Sequence, residues 1–307
     1  MQKYSSKNWL LLVLLSMIWG FSFIFMKYGL KTFSWDQVAA IRISFSFIAT
    51  LPFIFIHYKK IKRSEIKYYC MVGFFGSGLP AFCFTFSQTH IESGITGVLN
   101  SLTPVFTFVL GVLLFGMKFE KNKLLGLIIA LVGAVVLVVF DHSASGQSNL
   151  LYALPIFAAT ISYATSANLV KRYLQTAHPL VLGAVGFSFI GTPAIIYLFS
   201  TGFMSHADDE FFRISLSSIL ALSFFGTVIA SIGYYALVQR TDAIFGSLVT
   251  YLIPVVAIII GFLDGEKLFF HHLIGMLFIL LGIYVLNYSG RKKIQNNEVD
   301  INKASEG

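Results

Sequence analysis

Residues 94–115 read GITGVLNSLTPVFTFVLGVLLF, and residues 245–263 read FGSLVTYLIPVVAIIIGFL. Leu102-Thr103-Pro104-Val105 and Leu252-Ile253-Pro254-Val255 stand 150 positions apart, and Gly111 and Gly261 keep that offset. Each stretch is apolar for about 20 residues, the length of helix that crosses a bilayer. Phe74-Phe75-Gly76 recurs as Phe224-Phe225-Gly226, also at 150. Gly126 and Gly133 recur as Gly275 and Gly282 at 149, and Phe45-Ser46-Phe47-Ile48 recurs as Phe187-Ser188-Phe189-Ile190 at 142. The order is kept, so the chain reads as one duplication. The expected units are a first five-helix repeat over 1–145, a second over 146–290, and a polar tail over 291–307 expected to be disordered and cytoplasmic.

Composition agrees with a membrane chain. Of 307 residues, 56% are hydrophobic and 12% charged, with mean hydropathy +0.78. A soluble domain carries about 25% charged residues. Half that charge cannot coat a soluble surface of this size, which excludes a cytosolic enzyme. The net charge of +8 marks the cytoplasmic side of a membrane rather than a nucleic-acid binder. Cys70 and Cys83 form no CxxC pair and no disulfide framework.

Ten stretches have the length and apolarity of spanning helices. They are Trp9–Met26, Gln37–Ile56, Lys67–Phe86, Gly94–Phe115, Lys123–Phe140, Leu150–Val170, Pro179–Phe199, Ser215–Val238, Phe245–Leu263 and Phe270–Tyr288. The runs are continuous rather than alternating, so helices are expected and not barrel strands. Lys3 and Lys7 ahead of Leu10–Leu15 mimic a signal peptide. No small-x-small cleavage site follows, so this reads as an uncleaved first span. With the N-terminus inside, 17 of the 22 Lys and Arg residues fall on the inner side. Four (Lys27, Lys31, Arg213 and Lys267) fall outside, and Arg42 lies within a span. This asymmetry predicts an even span number with both termini cytoplasmic in a cell (inner) membrane. Five spans per unit is odd, so the second unit enters from the opposite side. The expected fold is therefore an all-α membrane protein of ten transmembrane helices in two inverted repeats, an architecture associated with transporters.

Trp19-Gly20, Arg42 within Ala39-Ala40-Ile41-Arg42, the two Pro-Val segments with their following glycines, and Asp264-Gly265-Glu266 come in a recognisable order. Over about residues 8–289 the chain resembles the drug/metabolite transporter superfamily, in its EamA-type ten-helix members. One departure is Gly116-Met117, where the first half lacks the acid of Gly265-Glu266. The resemblance implies efflux or exchange of small metabolites, often amino acids. It also implies a solute site among spans one, three, four, six, eight and nine.

None of the 14 acidic residues and none of the seven histidines lies mid-span, so a central proton relay is not expected. The candidate substrate-binding residues are neutral and aromatic: Trp19, Ser22, Asn100, Thr103, Tyr163, Tyr234, Tyr235, Thr250 and Tyr251. Thr96, Asn100, Thr103 and Thr107 recur on one helical face, and Thr250 is the repeat equivalent of Asn100. Such a lining suits a neutral or zwitterionic solute, although Ser, Thr and Asn also serve as interhelical glue. Pro104 and Pro254 are candidate gating breaks, since each frees a carbonyl one turn earlier. For Arg42 three readings stand open: snorkelling, a charge pair with Glu266 (or Asp264), or capture of a substrate carboxylate. The glycines at 126, 133, 275 and 282 form a smooth face for packing within the chain or in a homodimer.

No HExxH, GxSxG or P-loop is present. Phe75-Gly76-Ser77-Gly78 lacks the glycine two before its serine, and His271-His272 point apart on a helix. No catalytic residue, metal site or cofactor is expected. The expected partners are a small-molecule solute and the lipid bilayer, with no nucleic acid. The sequence reads as a secondary transporter exporting small metabolites such as neutral or aromatic amino acids by alternating access. A nucleotide-sugar or sugar-phosphate exchanger is the alternative in the same class, weakened because no paired central Lys or Arg awaits phosphate. A non-transporting scaffold or sensor is the alternative from another class.

Overall fold

A chain this apolar must satisfy its backbone polar groups internally, and a helix does so within each segment. The computed structural model describes residues 5–91, 93–139, 150–263, 270 and 273–285. Among the described residues every regular element is helical. In the first half, α1 is Ser6–Gly29 and α2 is Trp35–His57. α3 (Ile66–Gly73) runs through a π turn at Phe74–Gly78 into α4 (Leu79–Gln88). α5 (Ser93–Asn100), α6 (Thr103–Leu114) and α7 (Lys121–Val139) follow. In the second half, α8 is Leu154–Tyr173 and α9 is Pro179–Ser200. α10 (Phe212–Ala221) runs through a π turn at Leu222–Ile229 into α11 (Ala230–Arg240). α12 (Ala243–Ser247) and α13 (Val249–Leu263) follow, then α14 (Leu273–Val285).

Among the described residues, six helical rods are long and apolar enough to cross a membrane: Ser6–Gly29, Trp35–Lys60, Arg63–Gln88, Leu151–Tyr173, Pro179–Ser200 and Phe212–Arg240. Thr103–Leu114 and Leu273–Val285 are apolar but shorter. The expectation of one continuous helix over Gly94–Phe115 is corrected. The segment stops at Asn100 and restarts at Thr103, with Pro104, which has no N–H, in the first turn of the new helix, where none is needed. The tail over 291–307 lies outside the described residues. Outward-facing side chains such as Leu113, Phe55 and Ile196 are large, apolar and 69–72% exposed. That surface suits lipid contact, and the protein is a multi-pass membrane protein.

Helix packing relies on small residues, as expected where lipid provides no hydrophobic drive between helices. α2 and α9 share the most extensive interface. Beside it, α3 crosses α9 at Gly73 and Gly186, where a Cβ on Gly73 would lie 2.5–2.7 Å from the Gly186 backbone. At the other flank, a Cβ on Gly133 of α7 would lie 2.7 Å from the Gly275 carbonyl oxygen and the Ile279 nitrogen of α14. The glycine face read from the sequence is thus used inside the chain.

Neither backbone at the Gly73–Gly186 crossing can give way to an added methyl. Gly73→Ala is expected to lower stability by roughly 1–3 kcal/mol, the usual cost of overpacking. Gly97→Ala, whose nearest neighbour is the Phe23 ring at 3.8 Å, is expected to be neutral. Thermal unfolding of the two variants in one detergent tests this, and equal melting temperatures would contradict the crossing.

Candidate functional site

The two prolines and the two π turns determine which backbone groups are left over. Pro104 cannot donate to the Asn100 carbonyl, and the Thr103 hydroxyl takes that place at 2.7 Å. Pro254 cannot donate to the Thr250 carbonyl, and the Ser101 hydroxyl takes it at 3.1 Å. Asn100 and Thr250 stand 150 positions apart, the offset of the recurring Pro-Val segments. α13 nevertheless runs unbroken through Pro254, and the break in that segment falls at Leu248. The expected helix break at Pro254 is therefore corrected. The hydroxyl bond from Ser101 satisfies the carbonyl without interrupting the helix.

The π turn at Leu222–Ile229 widens the helix by one residue per turn. Its two adjacent residues Gly226 and Thr227 hold two side chains from the first half. The Trp19 indole N–H donates to the Gly226 carbonyl at 2.7 Å. The Arg42 Nε–H donates to Thr227 Oγ1 at 2.6 Å, and the Thr227 hydroxyl contacts the Leu222 carbonyl at 3.4 Å. The absence of a side chain at Gly226 matters here, since a Cβ would lie 2.7 Å from Ser22 Oγ.

Between these elements is a cavity of about 80 Å³, lined from both halves. That is several times the roughly 10–15 Å³ one water needs. Of the nine expected substrate-binding residues, Trp19, Ser22, Asn100, Thr103, Tyr163, Tyr234, Tyr235 and Thr250 line it. Tyr251 is not brought there. It is fully buried, and its hydroxyl donates to the Leu127 carbonyl of α7 at 2.9 Å. Arg42 also lines the cavity, with Phe23, Met26, Gly76, Ser77, Phe84, Ser166, Gly226, Ser231 and Ile253. The spans implied by the family resemblance thus gain α2 as a further contributor.

The walls are largely aromatic. The Trp19 and Tyr234 rings are 5.5 Å apart, those of Tyr234 and Tyr235 6.3 Å, and Phe84 stacks on Tyr163 at 5.9 Å. Several hydroxyls are spent locally, as glue. Ser22 donates to the Ile18 carbonyl and Thr250 to that of Ser247. Thr107 donates to the Thr103 carbonyl and accepts at its own carbonyl from the Asn168 amide, which ties α6 to α8. Ser166 differs, since its buried hydroxyl has no hydrogen-bond partner. Arg42 is 8% exposed and turns into the cavity, so it does not snorkel. Its proposed partner Glu266 lies outside the described residues, as does Asp264. No carboxylate lines the cavity among the described residues, and no described cluster of His, Cys, Asp or Glu could hold a metal.

Sequence reasoning missed Thr227, Gly76 and Gly226 as site residues. The signal was present in the recurring Phe-Phe-Gly triplets, which fall in the two π turns.

The EamA-like transporter family model matches residues 7–139 and again 150–288. An uncharacterized transporter of Archaeoglobus fulgidus is 27% identical over 91% of this chain and 98% of its own length. A probable amino-acid metabolite efflux pump of Salmonella typhimurium is 26% identical over 92% and 95%, and one of Escherichia coli is 25% identical over 92% and 95%. One crystal structure matches with TM-score 0.71 at 14% identity, over 94% of this chain and 99% of the other, which shows a shared fold.

Trp19→Phe keeps an aromatic face toward Tyr234 but leaves the Gly226 carbonyl without its indole donor. A buried acceptor left unsatisfied costs about 1–3 kcal/mol. The variant is expected to unfold earlier than wild type in a detergent-solubilised thermal scan. An unchanged midpoint would mean that the indole bond contributes nothing.

Proposed function

We propose that this chain, which belongs to the EamA-like transporter family, is a secondary carrier exporting small neutral or aromatic amino-acid metabolites by alternating access. The observation that carries this reading is the cavity itself. It is lined from both sequence halves, walled by aromatic rings and neutral polar groups, and enclosed among helices that suit a bilayer. Aromatic faces hold an apolar body, and the Asn100 amide and the Ser166 hydroxyl offer polar contacts. Relatives named as amino-acid metabolite efflux pumps support the solute class.

The reading takes the chain as ten spans in two inverted units, with both termini on the cytoplasmic side of the cell (inner) membrane. Two separate family matches support the duplication, as do the two π turns, each holding a Phe-Phe-Gly triplet. In such carriers the site lies at the interface of the halves, and rocking one against the other exposes it alternately. The π turns at Phe74–Gly78 and Leu222–Ile229, with a cavity glycine in each, are the elements we assign to bending. An exchanger of sugar phosphates is less well supported. A phosphate dianion calls for more than the single cationic side chain found among the described residues lining this cavity.

Counterflow in proteoliposomes tests the reading, with labelled neutral and aromatic amino acids and with or without a pH gradient. Saturable flux is expected, lost at least tenfold on Asn100→Ala together with Trp19→Ala, and independent of the gradient because no carboxylate lines the described cavity. No flux of any amino acid in folded protein would overturn the solute assignment.

A further inference from the structure

We propose that Arg42 anchors a carboxylate of the transported solute, and that the site selects for this carboxylate rather than for an amino group. The inference rests on the carrier reading and narrows its substrate class to monocarboxylates with an apolar body.

Arg42 is the one cationic side chain among the described residues lining the cavity. Its Nε–H is committed to Thr227 at 2.6 Å, and Thr227 is itself in contact with the Leu222 carbonyl. That arrangement fixes the guanidinium while leaving both terminal nitrogens without a protein partner among the described residues. They form a planar fork suited to the two oxygens of a carboxylate. A guanidinium at 8% exposure with no acid among the described residues lining its cavity carries a buried charge without a partner there, which proteins rarely tolerate without a function. An anionic solute supplies the missing charge, and a group already held in place loses little freedom on binding it.

The same cavity offers nothing comparable to an ammonium. No carboxylate lines it among the described residues, and its second orphan group is the neutral hydroxyl of Ser166. An ammonium would share a small cavity with a fixed positive charge, which repels it. A zwitterion therefore binds through its carboxylate and in spite of its amine. Removing the amine leaves recognition intact, whereas removing or esterifying the carboxylate abolishes it.

The test is calorimetric titration of purified full-length protein with four compounds sharing one apolar body: 3-phenylpropionate, phenylalanine, phenylalanine methyl ester and phenethylamine. Expected is binding of 3-phenylpropionate at least as tight as phenylalanine, with the ester and the amine at least tenfold weaker. Arg42→Gln should erase the difference between acid and amine, and Arg42→Lys should retain part of it, since charge survives and the fork does not. Because a variant at a buried position can fail to fold, the wild-type series decides alone. Ester or amine binding as tightly as the acid overturns the proposal, and so does failure of all four compounds to bind. The carrier reading fails separately. Carboxylate binding without counterflow of any solute would keep the Arg42 site and remove transport, whereas counterflow with no preference for acids would keep transport and remove the Arg42 assignment.

Discussion

Inside a bilayer no water is at hand for a stray carbonyl, so every interruption of a helix must be repaired by a neighbour. Three such repairs organise this protein. The Thr103 hydroxyl covers the Asn100 carbonyl, the Ser101 hydroxyl covers that of Thr250, and the Trp19 indole covers that of Gly226. The last two reach across from one sequence half to the other, so repairing the backbone also joins the halves. The cavity lies where these repairs meet, because a helix that bends or breaks cannot pack flush against its neighbours. Polar groups are concentrated there for the same reason.

The electrostatics follow from the same economy of charge. With 12% charged residues, the chain places Arg42 inside, and among the described residues the side chain that holds it is a hydroxyl, that of Thr227. Thr227 orients the guanidinium without neutralising it. A carboxylate at that place would have closed the pair and left the cavity electrically silent. Arg42 lines one cavity together with the rings of Trp19, Tyr163, Tyr234 and Tyr235, so charge and aromatic surface meet in the same space.

Much of this was legible in the sequence. Pro104 and Pro254 stood out because proline inside an apolar run has a fixed physical consequence, and Trp19, Asn100 and Tyr235 because polar and aromatic groups are conspicuous there. Tyr251 was misjudged for a physical reason. Tyr251 follows Thr250 directly on α13, and neighbouring helical positions point about 100° apart, so the cavity takes Thr250 while Tyr251 turns to α7. Thr227 was invisible because threonine is common as interhelical glue, and because a π turn shifts the register of the face that follows it. Only the recurring Phe-Phe-Gly triplets hinted at those turns. Of the three readings left open for Arg42, snorkelling is set aside by its burial, and its Nε–H bond to Thr227 was not legible because a threonine in a span gives no sign of holding a cation.

The central claim is that one cavity opens in turn to each side of the membrane. Accessibility of a single cysteine in that cavity tests it most directly. Ser166→Cys is nearly isosteric and replaces a hydroxyl without a partner, with Cys70 and Cys83 changed to alanine beforehand. The variant is labelled with a membrane-impermeant thiol reagent in right-side-out and in inverted vesicles. The account predicts labelling from both sides, slowed in each case by a bound carboxylate solute. Labelling from one side only under every condition, or from neither side in folded protein, would contradict alternating access.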